Sequence, residues 1–329
     1  MNSISDTARA VAMYRALETE RPDALFQDTH ARLLAGGRGE MMVKIVGNDR
    51  QIANLIAVRT YLIDEIIERL VSTEKIDLVL NLAAGLDMRP YRLALPSTLR
   101  WIEVDLPDLC EYKDRKLWGE KPSCTLERVK LDLTHLALRT ALFATANLES
   151  KNVLILTEGL LSYLSEEQVK LLSADLYQQS NFRWWLFEMM SSVALKPSVN
   201  DWSQKIANQY LSDGKPVFLY APEVGAEFFQ NSLWSIAETH YVWEKSRHLN
   251  RGVWFAGLSE FLIRRFAQEN WDALRQHNRI VLLEKQSPPR AELNSSSSSH
   301  PIGIGIEGRS HRVGHAFDHA GDGHGNHQT

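Results

Sequence analysis

The sequence is poor in cysteine. Only Cys110 and Cys124 are present, so a disulfide scaffold and a cysteine-based metal site are both excluded, and no disulfide between the two is expected. No run of about 18 apolar residues occurs, which excludes a membrane-spanning helix of ordinary length. Basic residues are not in excess: 37 Lys and Arg stand against 41 Asp and Glu, a formal net charge of -4. A nucleic-acid footprint is therefore not expected. Residues 1–20 mix charge with apolar residues throughout and contain no apolar leader. These absences lead to the expectation of a soluble, cytoplasmic protein without a metal, nucleic-acid or membrane partner. What is present is an ordinary globular composition, 44% hydrophobic and 24% charged over 329 residues, enough for one large domain or two small ones.

The last part of the chain differs. Asn294–Ser299 is a serine linker, Ile306-Glu307-Gly308-Arg309 matches a protease-cleavage site, and six of the eleven histidines (His300, His311, His315, His319, His324 and His327) lie beside or after it. Residues 291–329 read as a vector-derived linker and tail rather than as part of the fold. The remainder, 1–290, reads as a single domain.

The chain is organised around Leu78-Val79-Leu80-Asn81-Leu82-Ala83-Ala84-Gly85-Leu86-Asp87-Met88-Arg89. An apolar run of this length bounded by a turn reads as a buried strand. The small residues Ala83, Ala84 and Gly85 permit close backbone approach by a ligand. A second strand, Arg100–Asp105, ends in an acid 20 residues beyond Gly85, the offset at which a carboxylate can take ribose hydroxyls. Nicotinamide dinucleotides and S-adenosyl-L-methionine both use this layout. The dinucleotide fingerprint Gly-x-Gly-x-x-Gly reads Ala83, Gly85 and Met88 here, and Met88 is large where close helix–strand packing wants glycine. That favours the donor without a pyrophosphate.

Helices are expected from Ser5 or Asp6 to about Glu20, around His30 to Leu34 with an end at Gly36-Gly37, and from Arg50 to Val71. The last carries Ile52, Leu55, Ile56, Ile63, Ile66, Ile67 and Leu70 on one face. Arg59 falls on that same face, and a buried guanidinium requires a carboxylate, either internal or bound. Further strands are expected at 127–133, 152–159, 184–190, 232–242 and 279–284, and Ser165-Glu166-Glu167-Gln168 is a capping box opening a helix. Strands alternating with helices predict a parallel-dominated α/β sheet. In such sheets ligands lie outside the carboxyl ends of the strands, where Gly85, Asp105, Asp132 and Glu158 are all expected. Residues 1–72 would form an N-terminal helical lid, 73–190 the cofactor-binding core, 191–230 an insertion on the substrate side, and 231–290 the closing strands and helix.

Four stretches together, Leu82–Arg89, Glu103–Pro107, Asp132-Leu133 and Thr157–Leu164, resemble the leucine carboxyl methyltransferase family over about residues 7–285. The resemblance implies a class I methyltransferase (Rossmann-like) fold, a seven-stranded, mostly parallel sheet whose final strand is antiparallel, with S-adenosyl-L-methionine as methyl donor. It implies that Arg59 binds the donor's methionine carboxylate and that Ala83 and Gly85 lie against its amino-acid part. Asp105, with Glu103 as its neighbour on the same strand face, would take the ribose hydroxyls. Asp132 and Leu133 would bracket the adenine, and Glu158 would face the ammonium group. The family turn usually begins with glycine where this chain has Ala83, and the family's early Asp-Pro is Asp28-Thr29.

A positioned methyl group needs no base for a carboxylate acceptor, whereas a hydroxyl benefits from one. His240, Tyr241 and Tyr163 are the candidates. Tyr14 and Arg15 are candidate substrate contacts, although an exposed helix arginine is the simpler expectation for Arg15. The aromatic-rich insertion Lys196–Phe229 suits a small, largely apolar acceptor. A protein C-terminal carboxylate as acceptor, a nicotinamide-dependent oxidoreductase, and a donor-binding subunit without catalysis are the alternatives.

Overall fold

A computed structural model describes residues 3–46, 50–190, 219–222, 225–232, 234–252 and 278–286. The tail 291–329 and most of the insertion 191–230 lie outside the described residues. Three helices come first: α1 (Ser3–Thr19), α2 (Ala31–Val46) and α3 (Arg50–Thr73). Then β1 (Leu78–Leu82), α4 (Arg89–Arg92), β2 (Arg100–Asp105), α5 (Pro107–Lys116), β3 (Thr125–Lys130), α6 (Leu136–Glu149), β4 (Val153–Thr157), α7 (Glu166–Gln178) and β5 (Phe182–Met190) alternate. β6 (Trp234–Tyr241), a short helix α8 (Val242–His248) and β7 (Asn278–Lys285) complete the described elements.

The seven strands form one sheet in the order β3-β2-β1-β4-β5-β7-β6. β1 to β5 pair in parallel, and β7 runs antiparallel to both β5 and β6. This is the mixed, mostly parallel α/β sheet that the alternation and the resemblance imply. β1 and β4 are buried at every position, as expected for central strands covered on both faces. Their side chains alternate between two cores. Leu78, Leu80, Leu82, Val153 and Ile155 face Phe143 of α6 and Val169, Leu172 and Leu176 of α7. Val79, Leu154 and Leu156 face Val58, Leu62, Ile63, Ile66, Ile67 and Leu70 of α3. Each such side chain contributes about 1.5–3 kcal/mol when fully buried, so the two faces rather than helix propensity hold α3 against the sheet. The edge strand β3 keeps only half its surface covered: Thr125, Glu127 and Lys130 are exposed.

The N-terminal helices extend beyond expectation. A break does occur at Gly36 (φ 58°, ψ -175°), but the chain re-enters a helix and continues to Val46. The reason is contact with α1. A Cβ at Gly39 would lie 2.7 Å from the Arg9 carbonyl oxygen, so only glycine lets the two helices approach this closely. Ion pairs fasten this layer, the first with a part-exposed arginine and the other two buried. Arg38 pairs with Asp6 at 2.6 Å, Arg15 with Asp28 at 2.8 Å, and Arg251, just after α8, with Glu18 at 2.6 Å. The capping box of α7 forms as expected, Ser165 and Gln168 bonding reciprocally.

Candidate functional site

At the carboxyl ends of the strands lies a cavity of about 770 Å³, within the roughly 300–1,000 Å³ of small-ligand sites. Its floor is the turn after β1. Ala83 (φ 54°) and Gly85 (φ 55°) both take left-handed backbone there. That conformation turns the Gly85 N–H onto the Asp105 carboxylate at 2.6 Å, while Leu106 N–H donates to the other Asp105 oxygen at 2.7 Å. Each oxygen keeps a lone pair, so the carboxylate can still accept from a vicinal diol. Burial pushes Asp105 above the usual carboxylate range despite these two bonds.

Behind the turn is a cluster of buried charges. Arg89 is 2% exposed and reaches three carboxylates: Asp64 at 2.7 Å, Asp87 at 2.9 Å and Glu158 at 2.7 Å. Arg92 pairs with Asp64 at 2.6 Å. Arg59 forks between Glu158 at 2.8 Å and Glu188 at 2.7 Å. Burial alone would push Asp87 and Glu158 up. Arg89, with Lys113 and Arg92 behind it at Asp87 and with Arg59 at Glu158, more than offsets this and holds both carboxyls below the usual range. Glu188 goes the other way: burial raises it, and Arg59, its guanidinium partner among the described residues, does not compensate for that and for the neighbouring Glu158 charge.

Among the expected site residues, Arg59, Ala83, Gly85, Asp105, Asp132, Leu133, Glu158, Tyr163, Tyr14 and Arg15 all line this cavity. Asp132 sits beyond the end of β3 rather than in it, and its carboxylate caps Thr134 through the backbone N–H and the hydroxyl at 2.9 and 2.7 Å. Those bonds hold it below the usual range. The Tyr163 hydroxyl donates to Thr7 of α1 at 3.4 Å. Arg15 is not the exposed helix arginine of the simpler reading: it is buried, bound to Asp28 and to the Leu86 carbonyl.

Three candidates lie elsewhere. Glu103 is not on the cavity wall; it is 1% exposed, and its carboxylate is taken by Lys113 at 2.8 and 2.9 Å and by Arg128 at 2.8 Å. His240 and Tyr241 do not line the cavity either. They belong to β6 at the far end of the strand order, and the His240 ring pairs with Glu238 at 2.8 Å on a part-exposed surface. Conversely, Asp64, Asp87, Arg89 and Glu188 were not singled out from the sequence. Glu188 carried a legible signal, an acid inside the otherwise apolar run Trp184–Met190, which must find a counter-charge.

The lining is rich in anionic groups. Five carboxylates (Asp87, Asp105, Asp132, Glu158, Glu188) face four guanidinium groups (Arg15, Arg59, Arg89, Arg251) among the described residues. Arg15 and Arg251 are matched by Asp28 and Glu18, which lie outside the lining. The cavity is therefore suited to a ligand of net positive charge. Arg59 also retains a buried Nε without a hydrogen-bond acceptor among the described residues.

A Streptomyces coelicolor protein, provisionally named an S-adenosyl-L-methionine-dependent methyltransferase, is 36% identical over 184 residues, 53% of this chain and 64% of that protein. A Parafrankia protein with the same designation is 35% identical over 188 residues, 54% of this chain and 60% of that protein. This chain thus spans less than two thirds of the length of these relatives. A solved DUF574-family protein of Streptomyces avermitilis shares the fold, with a TM-score of 0.51 at 12% identity over 84% of this chain and 97% of that one. Residues 8–176 match the leucine carboxyl methyltransferase family, a stretch that contains the turn after β1, Asp105 and the Arg89 cluster, and the chain belongs to that family.

Proposed function

We propose that the chain is an S-adenosyl-L-methionine-dependent methyltransferase that methylates an oxygen, hydroxyl or carboxyl, of a small and largely apolar metabolite. The observation that carries the donor is the excess of carboxylates over guanidinium groups around a backbone turn aimed at Asp105. A nicotinamide dinucleotide would bring a pyrophosphate into this anionic lining, a like-charge contact that costs free energy. The sulfonium donor supplies an already activated methyl group and carries a net positive charge.

The protein's residues would then bind and orient. Asp105 accepts from the ribose diol, Asp132 and Leu133 flank the base, Arg59 meets the carboxylate, and Glu158 and Asp87 meet the ammonium group. Transfer depends chiefly on placing acceptor oxygen and methyl in line. A small acceptor is supported by α1, which supplies Thr7, Ala8, Val11, Tyr14 and Arg15 to the cavity wall. Buried ion pairs hold that helix down, and a protein C-terminus would need an open groove instead.

Two measurements test the reading. S-adenosylmethionine or S-adenosylhomocysteine should raise the melting temperature, and Asp105→Ala should remove much of that rise; absence of binding by the intact protein rejects the donor. Incubation of source-cell extract with deuterated donor should label small molecules. Label found on a protein C-terminus and on no metabolite would overturn the acceptor class.

A further inference from the structure

Glu158 and Glu188 sit at matching heights on neighbouring parallel strands, because Thr157 of β4 pairs in register with Phe187 of β5. Leu156 and Leu186, two residues earlier on each strand, both face α3, so both carboxylates project toward that helix and the Arg59 guanidinium stands between them. The two acids are not equivalent. Glu158 has two guanidinium partners, Arg59 and Arg89, whereas the described partner of Glu188 is Arg59 alone. Glu188 also lies beyond residues 8–176, the stretch that matches the family.

We propose that Glu188 is a positioning residue for the donor site: it holds Arg59 in place until a donor carboxylate engages that guanidinium, and it then takes up a proton from solvent. The inference rests on the donor reading above. A ligand carboxylate would be a third anion at Arg59, further dividing the one positive charge that faces Glu188 among the described residues, while the ligand ammonium is met by Glu158 and Asp87. The other groups around Glu188 do not replace that charge. Tyr163 is a phenol that burial keeps neutral, on β7 the register partner of Glu188 is Ile280, and the guanidinium of the adjacent Arg279 lies against Gly225 on the opposite face of the sheet. Burial already raises the Glu188 carboxyl, so losing part of its counter-charge moves it further toward neutrality. Protonated, it remains a hydrogen-bond partner in the cavity wall without a charge to repel the bound carboxylate.

A ligand that raises a carboxyl's affinity for protons binds more tightly at lower pH, by up to about tenfold per pH unit for one proton. No histidine lines the cavity among the described residues, so no imidazole contributes there. The test is calorimetric titration of the intact protein with S-adenosylhomocysteine at neutral pH, in phosphate and in Tris, whose ionisation heats differ. The expected result is net proton uptake on binding, and an affinity that falls as pH rises. Glu188→Gln keeps an acceptor for Arg59 and should bind with no proton uptake and a flat pH profile, while Glu188→Asp should restore both. Equal heats in the two buffers, or uptake that persists in Glu188→Gln, would overturn the proposal. Failure of the wild-type protein to bind at all would instead remove the donor reading, and the buffer comparison on wild type stands even if a variant does not fold.

Discussion

Replacing Arg89 with Met keeps the length and apolar stem of the side chain and removes one charge from the interior. The losses can be followed partner by partner. Asp64 keeps Arg92 at 2.6 Å, and Glu158 keeps Arg59 at 2.8 Å. Asp87 is left with the Asn81 amide at 2.9 Å and the backbone N–H of residue 89 at 2.9 Å, and with no contacting cation. Stranding a buried charge in this way costs about 3–5 kcal/mol, a large share of the roughly 5–15 kcal/mol that keeps a domain folded. The pH dependence identifies the cause. Asp87 and Glu158 have folded-state affinities for protons below their unfolded ones. They therefore contribute stability that is present above the unfolded carboxylate range and lost as pH falls through the folded one. The variant lacks most of that contribution, so the gap between wild type and Arg89→Met should be wide near neutrality and should narrow as pH falls below about 4. Urea unfolding at a series of pH values measures it, with Arg69→Met as control, because the Arg69–Glu238 pair is exposed and worth about 0–1 kcal/mol. A loss below about 1 kcal/mol at neutral pH, or one that does not change with pH, would refute the counter-charge account of the cluster.

Three further outcomes are expected. Ala83→Gly relieves a left-handed alanine worth about 1–2 kcal/mol against an entropy loss of about 0.5–1 kcal/mol, so the melting temperature should hold or rise; a clear fall would mean that the Ala83 methyl packs productively. Gly39→Ala places a methyl against the Arg9 carbonyl and should cost about 1–3 kcal/mol, with chemical denaturation as the measure and an unchanged midpoint as the contrary result. Cys110 and Cys124 are free and buried, and burial pushes both thiols up to about 11. Iodoacetamide should modify them at mildly alkaline pH only after unfolding, and rapid labelling of the native protein would contradict their burial.

The sheet was largely legible because β1, β4 and β5 are apolar runs bounded by turn residues, and those signals are local. The face of α3 was legible for the same reason, and with it the buried position of Arg59. Its partners were not, because they come from β4 and β5, more than 90 residues away, and no local pattern says which acids meet which guanidinium. Arg59→Met would therefore leave Glu188 without a contacting cation among the described residues and Glu158 with Arg89 alone. Glu103 misled because it shares a strand face with Asp105 while sitting two residues deeper, within reach of Lys113. His240 misled because the sequence of β6 does not reveal that the strand lies at the outside of the sheet. The continuation of α2 past Gly36 depended on a tertiary contact at Gly39 that has no local signature.

The exposed face of β3 has a consequence for how the protein behaves at high concentration. Among the described residues β3 pairs only with β2, so its outer backbone offers unpaired donors and acceptors, the template on which a strand from another molecule could align. Glu127 and Lys130 stand exposed along it, and Lys130 is tied to Glu111 at 3.1 Å. An incoming strand would have to desolvate that charge and displace that pair before any ladder could form. The edge is thus guarded against aggregation by its own side chains, and neutralising Glu127 and Lys130 together should lower solubility without moving the melting temperature.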